Sequence, residues 1–304
     1  MQQYTTVVKN ILANNITLDT DDRVLVLTDE STAPIASGFL AGLRANDVQA
    51  ELYTMEDRAK SGEEPAPEAL ERVLAFDATF CLTKHSLTHT SARKQAVAAG
   101  KLFITMPGIT EYILTEGAMT ADYVRVERET LEMAKRITDA NAVTIHSGDG
   151  RHRLHVPLEG RDGIPSTGVF HGKGTGGNLP SGEAYVAPVE YAVSGTLEVN
   201  GSIAGIGLVD EPVVLEVRCG RLESATGPLG ARLLEMLGDG LGRQVAELGI
   251  GTNHAAGIIG DILEDEKAYN TIHIAFGSNN TFGGTIAAGV HIDCIVASPR
   301  VEWA

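Results

Sequence analysis

The residues best equipped for chemistry in this 304-residue chain lie near its C-terminal end, in TIHIAFGSNNTFGGTIAAGVHID, which begins at Thr271. His291 and Asp293 stand two apart, so on a strand they share one face while Ile292 turns to the other. His273 sits in TIHIAFG, with Ile272 and Ile274 directed away from it in the same manner. Two imidazoles and a carboxylate are good ligands for Zn, Mn, Co or Fe(II). Either histidine alone would suit a hydrogen-bonded place in a core equally well. The H-x-D pair beside Gly-rich loops sets a metal site level with that reading.

Further carboxylates stand in comparable settings. Glu183 lies where a Gly/Pro-rich loop, GGNLPSGEAYVAP, enters a strand, a poor place for a solvated helix face. Glu247 is the sole charge in VAELGIGTN, and an unpaired buried carboxylate is costly unless a cation resolves it. ILEDEKAYN supplies Glu264, Asp265 and Glu266 shortly before His273, although a solvated acidic turn would account for two of the three. In the first half, KHSLTHTSARK follows an apolar strand and leads into a helix, at the strand end where open α/β sheets bind ligands. There Arg93 could clamp a substrate carboxylate and His89 could act as acid or base. An N-capping loop with surface histidines at 85 and 89 is the competing account. His254 in GTNHAAG could line a site or simply occupy a loop, and Lys173 in HGKGTGGN could contact an anion or merely sit in a glycine loop.

The elements that must position these residues read in two styles. RVLVLTD, AELYTM, ATFCLTK and KLFITMPG are short apolar runs, separated by APIASGFLAGLRAND, PEALERVLA and TSARKQAVAAG, which have helical spacing. Continuous apolar strands alternating with helices predict parallel βαβ units and a Rossmann-like sheet covered on both faces. No G-x-G-x-x-G follows the first strand, so a dinucleotide site is not expected. MTADYVRVERETLEMAKRITDA, residues 119–140, predicts one long charged helix bridging two domains. Beyond it, AVTIHSGDGRHRLHVPLEG predicts a hairpin, and alternating strands broken by Gly and Asn predict an antiparallel sheet. The expectation is an α/β Rossmann-like domain over 1–130, then an α+β domain over 131–304 carrying the metal site in a cleft.

Bulk composition narrows the function. Hydrophobic residues make up 43% and charged residues 21%, as in an ordinary globular protein. A net charge of -16, with no basic stripe, argues against nucleic-acid binding. No apolar window is long enough to span a bilayer, and the first residues lack the pattern of a secretory leader. Cys81, Cys219 and Cys294 are widely spaced, odd in number and set in apolar segments, so buried free thiols and a cytoplasmic location are expected.

Taken in order, NLPSGEAYVAP, ELGIGTN, ILEDEK, HIAFG and HID resemble the aminopeptidase T/aminopeptidase S type of metallopeptidase, and more closely its shorter leucyl aminopeptidase-like branch. SLTHTSARKQA and TMPGIT in the first half resemble that branch too. The superfamily also includes the 2,5-dihydroxypyridine dioxygenases, which use one Fe(II). The resemblance implies a homodimer acting on a small-molecule or peptide substrate. It implies metal ligands at Glu183, Glu247, His273, His291 and Asp293, holding two Zn, Mn or Co ions, with Glu266 as general base. Two departures stand out: the position where the longer aminopeptidases carry a tyrosine falls in GSNNTF, and the spacing from EDEK to His273 is longer. The competing implication is a ring-cleaving dioxygenase with an Fe(II) facial triad of His273, His291 and Asp293. A third is a binding protein that kept the metal and lost the chemistry.

Overall fold

The computed structural model describes residues 2–304. Five parallel strands form the first sheet, in spatial order Gln49–Met55, Arg23–Asp29, Ala78–Leu82, Leu102–Thr105 and Gly176–Asn178. Six of the seven residues of Arg23–Asp29 and all of Ala78–Leu82 are buried, as the unbroken apolar runs predict for a sheet covered on both faces. The intervening helices start where local chemistry allows: Pro67 opens Pro67–Ala75, and the Thr90 hydroxyl accepts from the Arg93 amide to cap Ser91–Ala98. Gly100, at φ 75°, takes the left-handed conformation that ends this last helix.

The second half is antiparallel. A six-stranded sheet runs Arg221–Ala225, Val213–Arg218, Ser194–Val199, His152–Pro157, Ala142–Ser147, Arg300–Trp303, and includes the expected hairpin through Gly148–Gly150. A seven-stranded sheet runs Gly207–Leu208, Ser202–Ile203, His291–Ala297, Thr271–Gly277, Val245–Gly251, Glu183–Val186, Ile164–Ser166. The Val245–Gly251, Thr271–Gly277 and His291–Ala297 strands give one face to a core containing Leu248, Ile250, Ile272, Ile274, Ile292 and Cys294. A bulge before Glu247 lets Val245 join the same core although it lies three residues from Leu248.

Internal contacts divide the chain into two units. The first ends at Glu127 and takes in Gly168–Ser181; the second comprises Arg128–Thr167 and Gly182–Ala304. The boundary thus falls inside the helix Tyr123–Asp139. No helix among the described residues is long and apolar enough to cross a membrane. Among the cysteines, Cys81 and Cys294 are buried as expected, but Cys219 is exposed. It occupies the tight turn between Val213–Arg218 and Arg221–Ala225 with φ 48°, so what reads as an apolar strand segment is a reversal of the chain.

Candidate metal centre

The candidate site is built on the face of the seven-stranded sheet opposite its core. Register explains why four strands converge there. Glu183 pairs with Gly251, Tyr185 and His273 both pair with Gly249, Ala275 pairs with Glu247 and Asp293, and Gly277 pairs with His291. Alternation therefore brings Glu183, Glu247, His273, His291 and Asp293 to a common face, separated by small residues. Gly249 is decisive: a Cβ there would lie 2.0 Å from Nε2 of His273. Without one, the imidazole lies across the neighbouring strand and reaches carboxylates on both sides.

Nε2 of His273 is 3.2 Å from Oε1 of Glu247 and 3.5 Å from Oε2 of Glu183. Nε2 of His291 is 3.5 Å from Oε2 of Glu247 and 3.5 Å from Oδ1 of Asp293. Glu247 thus turns one oxygen to each histidine. Nδ1 of His291 lies 2.8 Å from the Ser278 carbonyl, a bond that fixes the ring with Nε2 towards the carboxylates. Three overlapping groups have ligand atoms within 4.8 Å of one another: Glu183–Glu247–His273, Glu247–His291–Asp293 and Glu266–His273–Asp293. All six side chains belong to the second unit.

The electrostatics call for positive charge. His273 and Lys267 are fully buried, and Glu183, Glu247 and Asp293 nearly so. Burial raises the Glu247 carboxyl above the usual range, outweighing its contacts with His273 and His291. Burial would lower His291, but the Asp293 and Glu247 carboxylates outweigh it and push the imidazole up to about 10. Burial would likewise raise Asp293, yet His291 holds it down at about 2. His273 is raised despite burial, through Glu247, Glu183 and Asp293. Oε2 of Glu183 and Nδ1 of His273 are buried without a hydrogen-bond partner. Carboxylate and imidazole donors, an orphaned carboxylate oxygen and a surplus of negative charge together fit divalent ions such as Zn, Mn, Co or Fe(II).

The other candidate residues are placed as follows. Glu266 follows the short helix Ile262–Asp265, within reach of His273 and Asp293. His254 stacks on Tyr269 with ring centroids 3.7 Å apart and lies 2.7 Å from Glu129; it belongs to none of the three groups. His89 and Arg93 are in the first unit, where the Arg93 guanidinium donates to the carbonyls of Thr88 and Gly176. Lys173, also in that unit, pairs with Asp19 and Asp22. Of the acidic turn, Glu264 and Asp265 are buried rather than solvated: Asp265 accepts from the Ile259 and Gly260 amides and pairs with the Ser202 hydroxyl.

Two contributors escape a reading of motifs. Lys267 is fully buried, with Nζ 3.2 Å from Oε1 of Glu183 and in close contact with Glu266. Its only signal is a single cation closing an acidic run. Gly249 contributes by lacking a side chain, and its signal is a glycine interrupting an apolar strand.

No family model and no curated protein matches the chain. In fold it is similar to 2,5-dihydroxypyridine dioxygenase from Pseudomonas putida KT2440, with a TM-score of 0.78 and 18% identity over 99% of this chain and 92% of that one. It is also similar to wild-type AmpT from Thermus thermophilus, with a TM-score of 0.68 and 17% identity over 99% of this chain and 95% of that one. The sequence resemblance and the structural comparisons thus lead to the same fold.

Proposed function

We propose that this chain is a divalent-metal-dependent hydrolase of small peptides or amides. Glu183, Glu247, His273, His291 and Asp293 would hold two ions such as Zn, Mn or Co. The observation that supports this reading is the division of Glu247 between two histidines, each with its own further carboxylate. A carboxylate so divided suits a bridge between two cations. Charge agrees: once both histidines are neutral ligands, Lys267 is the buried cation beside Glu183 and Glu266, and one divalent ion would leave the four carboxylates Glu183, Glu247, Glu266 and Asp293 partly unbalanced. His273 and His291 fall in separate donor groups, and Glu247 stands in a group with each of them.

Bound ions supply a polarised scissile carbonyl and an acidified water. The protein's own part is proton handling and orientation. Glu266 accepts the proton from the attacking water and passes it to the leaving amine. Lys267 fixes the Glu266 carboxylate and balances Glu183 behind it. The Ser278 carbonyl keeps the His291 ring in one tautomer and orientation. His89 remains a proposed acid or base, and Arg93 and His254 remain proposed contacts for substrate. A cytoplasmic homodimer accords with the resemblance and the free thiols, and sedimentation of the purified chain tests the dimer.

A second reading has its own support. The fold likeness is greater to the dioxygenase than to AmpT, and Asn279 and Asn280 stand where the longer aminopeptidases carry a tyrosine. Here one Fe(II) would serve ring cleavage of a hydroxylated pyridine. Elemental analysis of chelator-free, anaerobically purified wild type and Glu247→Gln separates the two. The hydrolase reading expects about two ions per chain, with about half lost together with aminoacyl-anilide hydrolysis in the variant. One iron per chain, retained by Glu247→Gln with oxygen uptake on hydroxypyridines, would overturn it in favour of ring cleavage.

A further inference from the structure

The loop 278–290, which joins the His273 and His291 strands, carries Phe282 against the candidate centre. The Phe282 ring lies edge-on to Tyr185, with centroids 5.6 Å apart at 78°, and to His291, with centroids 5.9 Å apart at 84°. Tyr185 is two residues beyond Glu183 on the same strand face and lies opposite Gly249, the residue His273 crosses. Tyr185, Phe282 and His291 therefore form an arc of rings along one side of the donor cluster. Phe282 is only partly buried.

The loop is held rather than loose. The Asn279 amide donates to the Ile286 carbonyl at 2.9 Å, and Oδ1 of Asn279 accepts from the Ile286 amide at 2.8 Å. The Ser278 hydroxyl accepts from the amides of Ala288 and Gly289. From outside, Glu190 accepts from the Thr285 amide and pairs with Arg161, which also donates to the Gly283 carbonyl. Gly284 sits so tightly on Asn279 that a Cβ there would meet the amide carbon at 2.0 Å. A partly exposed aromatic ring fixed beside a polar centre costs free energy unless an apolar group covers it, and fixing it beforehand removes the ordering cost of binding. Lys267 is buried between carboxylates and Arg161 is committed to Glu190, so neither offers a counter-charge to an acidic substrate group.

We infer that Phe282, braced by Tyr185 and His291, is an apolar shelf that receives a hydrocarbon side chain or ring adjoining the reacting centre of the substrate. The inference rests on the metal reading, because it places the substrate beside His291. It applies to an amide with an apolar side chain and to an aromatic ring alike, and it disfavours acidic groups at that position.

Calorimetry on Mn-loaded protein tests it, with benzohydroxamate and acetohydroxamate as probes that share a chelating head and differ in the attached group. Wild type is expected to bind benzohydroxamate about tenfold more tightly, the scale of one aromatic contact with its buried area. Phe282→Ala should lose that preference while keeping its acetohydroxamate affinity and its metal content, and Phe282→Leu should keep most of it. Equal binding of the two probes by wild type, or parallel weakening of both in Phe282→Ala with metal retained, overturns the shelf. A wild-type chain that takes up no manganese, zinc, cobalt or iron overturns the metal reading itself, and the shelf with it.

Discussion

Replacing Gly249 by alanine tests the site through a residue that carries no donor. The added Cβ would stand 2.0 Å from Nε2 and 2.1 Å from Cε1 of His273, whereas real contacts of this kind essentially never fall below 3.0 Å. The ring must therefore retreat by about 1 Å, several times the roughly 0.2 Å tolerance of a metal–ligand bond. His273 is fully buried, so a retreat of that size must displace its neighbours or its backbone. Overpacking of this kind costs about 1–3 kcal/mol in the metal-free chain. Losing the imidazole as a ligand should weaken metal binding by about 100-fold or more, beyond the usual effect of disturbing an outer partner. Titration of Mn or Zn into chelator-stripped protein, followed by elemental analysis, measures the second effect; urea unfolding in chelator measures the first. Gly257→Ala is the control, because nothing lies within 4 Å of its added Cβ, and a change within about 0.5 kcal/mol is expected. A Gly249→Ala chain with wild-type metal content and affinity would refute the argument that His273 needs this gap in order to act as a ligand.

Two further outcomes follow from charge. Lys267→Met removes the buried partner of Glu183 and Glu266, so the chelated chain should lose about 3–5 kcal/mol, and saturating Mn should restore part of that loss. An unchanged urea midpoint in chelator would show that Lys267 does not balance these carboxylates. Burial would raise the Glu190 carboxyl, but hydrogen bonds from backbone amides and the Arg161 guanidinium bring it below its ordinary 4.5. A depressed carboxyl stabilises fully above its unfolded value and loses that contribution as pH falls through the folded one. The loop 278–290 should therefore be protected at about pH 6 and loosen towards about pH 3, read as hydrogen exchange at the Thr285 amide corrected for intrinsic rate. Glu190→Gln should flatten this dependence; an identical pH profile in the variant would detach the loop from Glu190.

The residues that converge were legible because strand alternation is a strict rule. His291-x-Asp293, and His273 between two isoleucines, announce their faces without reference to the rest of the chain. Register between strands is not announced, so Glu183 and Glu247 could be joined to the histidines only through a resemblance. The bulge before Glu247 is also silent in the sequence, since it depends on how Val245 seats in the core. Lys267 looks like a surface cation at the end of an acidic turn, and only burial gives it a partner on each side. The parallel sheet was readable from three apolar runs and the more polar edge strand Gln49–Met55, but its fifth strand, Gly176–Asn178, has no apolar signal at all. It pairs through backbone atoms with Leu102–Thr105, and three such residues read as loop. Asn279 and Phe282 fall in the stretch where the longer aminopeptidases carry a tyrosine; here Asn279 holds the loop through Ile286, and Phe282 packs edge-on against Tyr185 and His291.

That fifth strand bears on how the chain can be made and divided. Gly176–Asn178 emerges from the ribosome some seventy residues after its neighbour Leu102–Thr105, once the helix and first hairpin of the other unit have already been synthesised. Until then the Leu102–Thr105 edge has unpaired amides and carbonyls, the kind of edge that recruits foreign strands. The polypeptide crosses between the two units three times, so no single cut yields both of them whole. A fragment ending in the long helix would carry four strands and an open edge, and its expected fate is aggregation. An excised first unit would need residues 168–181 returned to it, through a short linker or as a separate peptide.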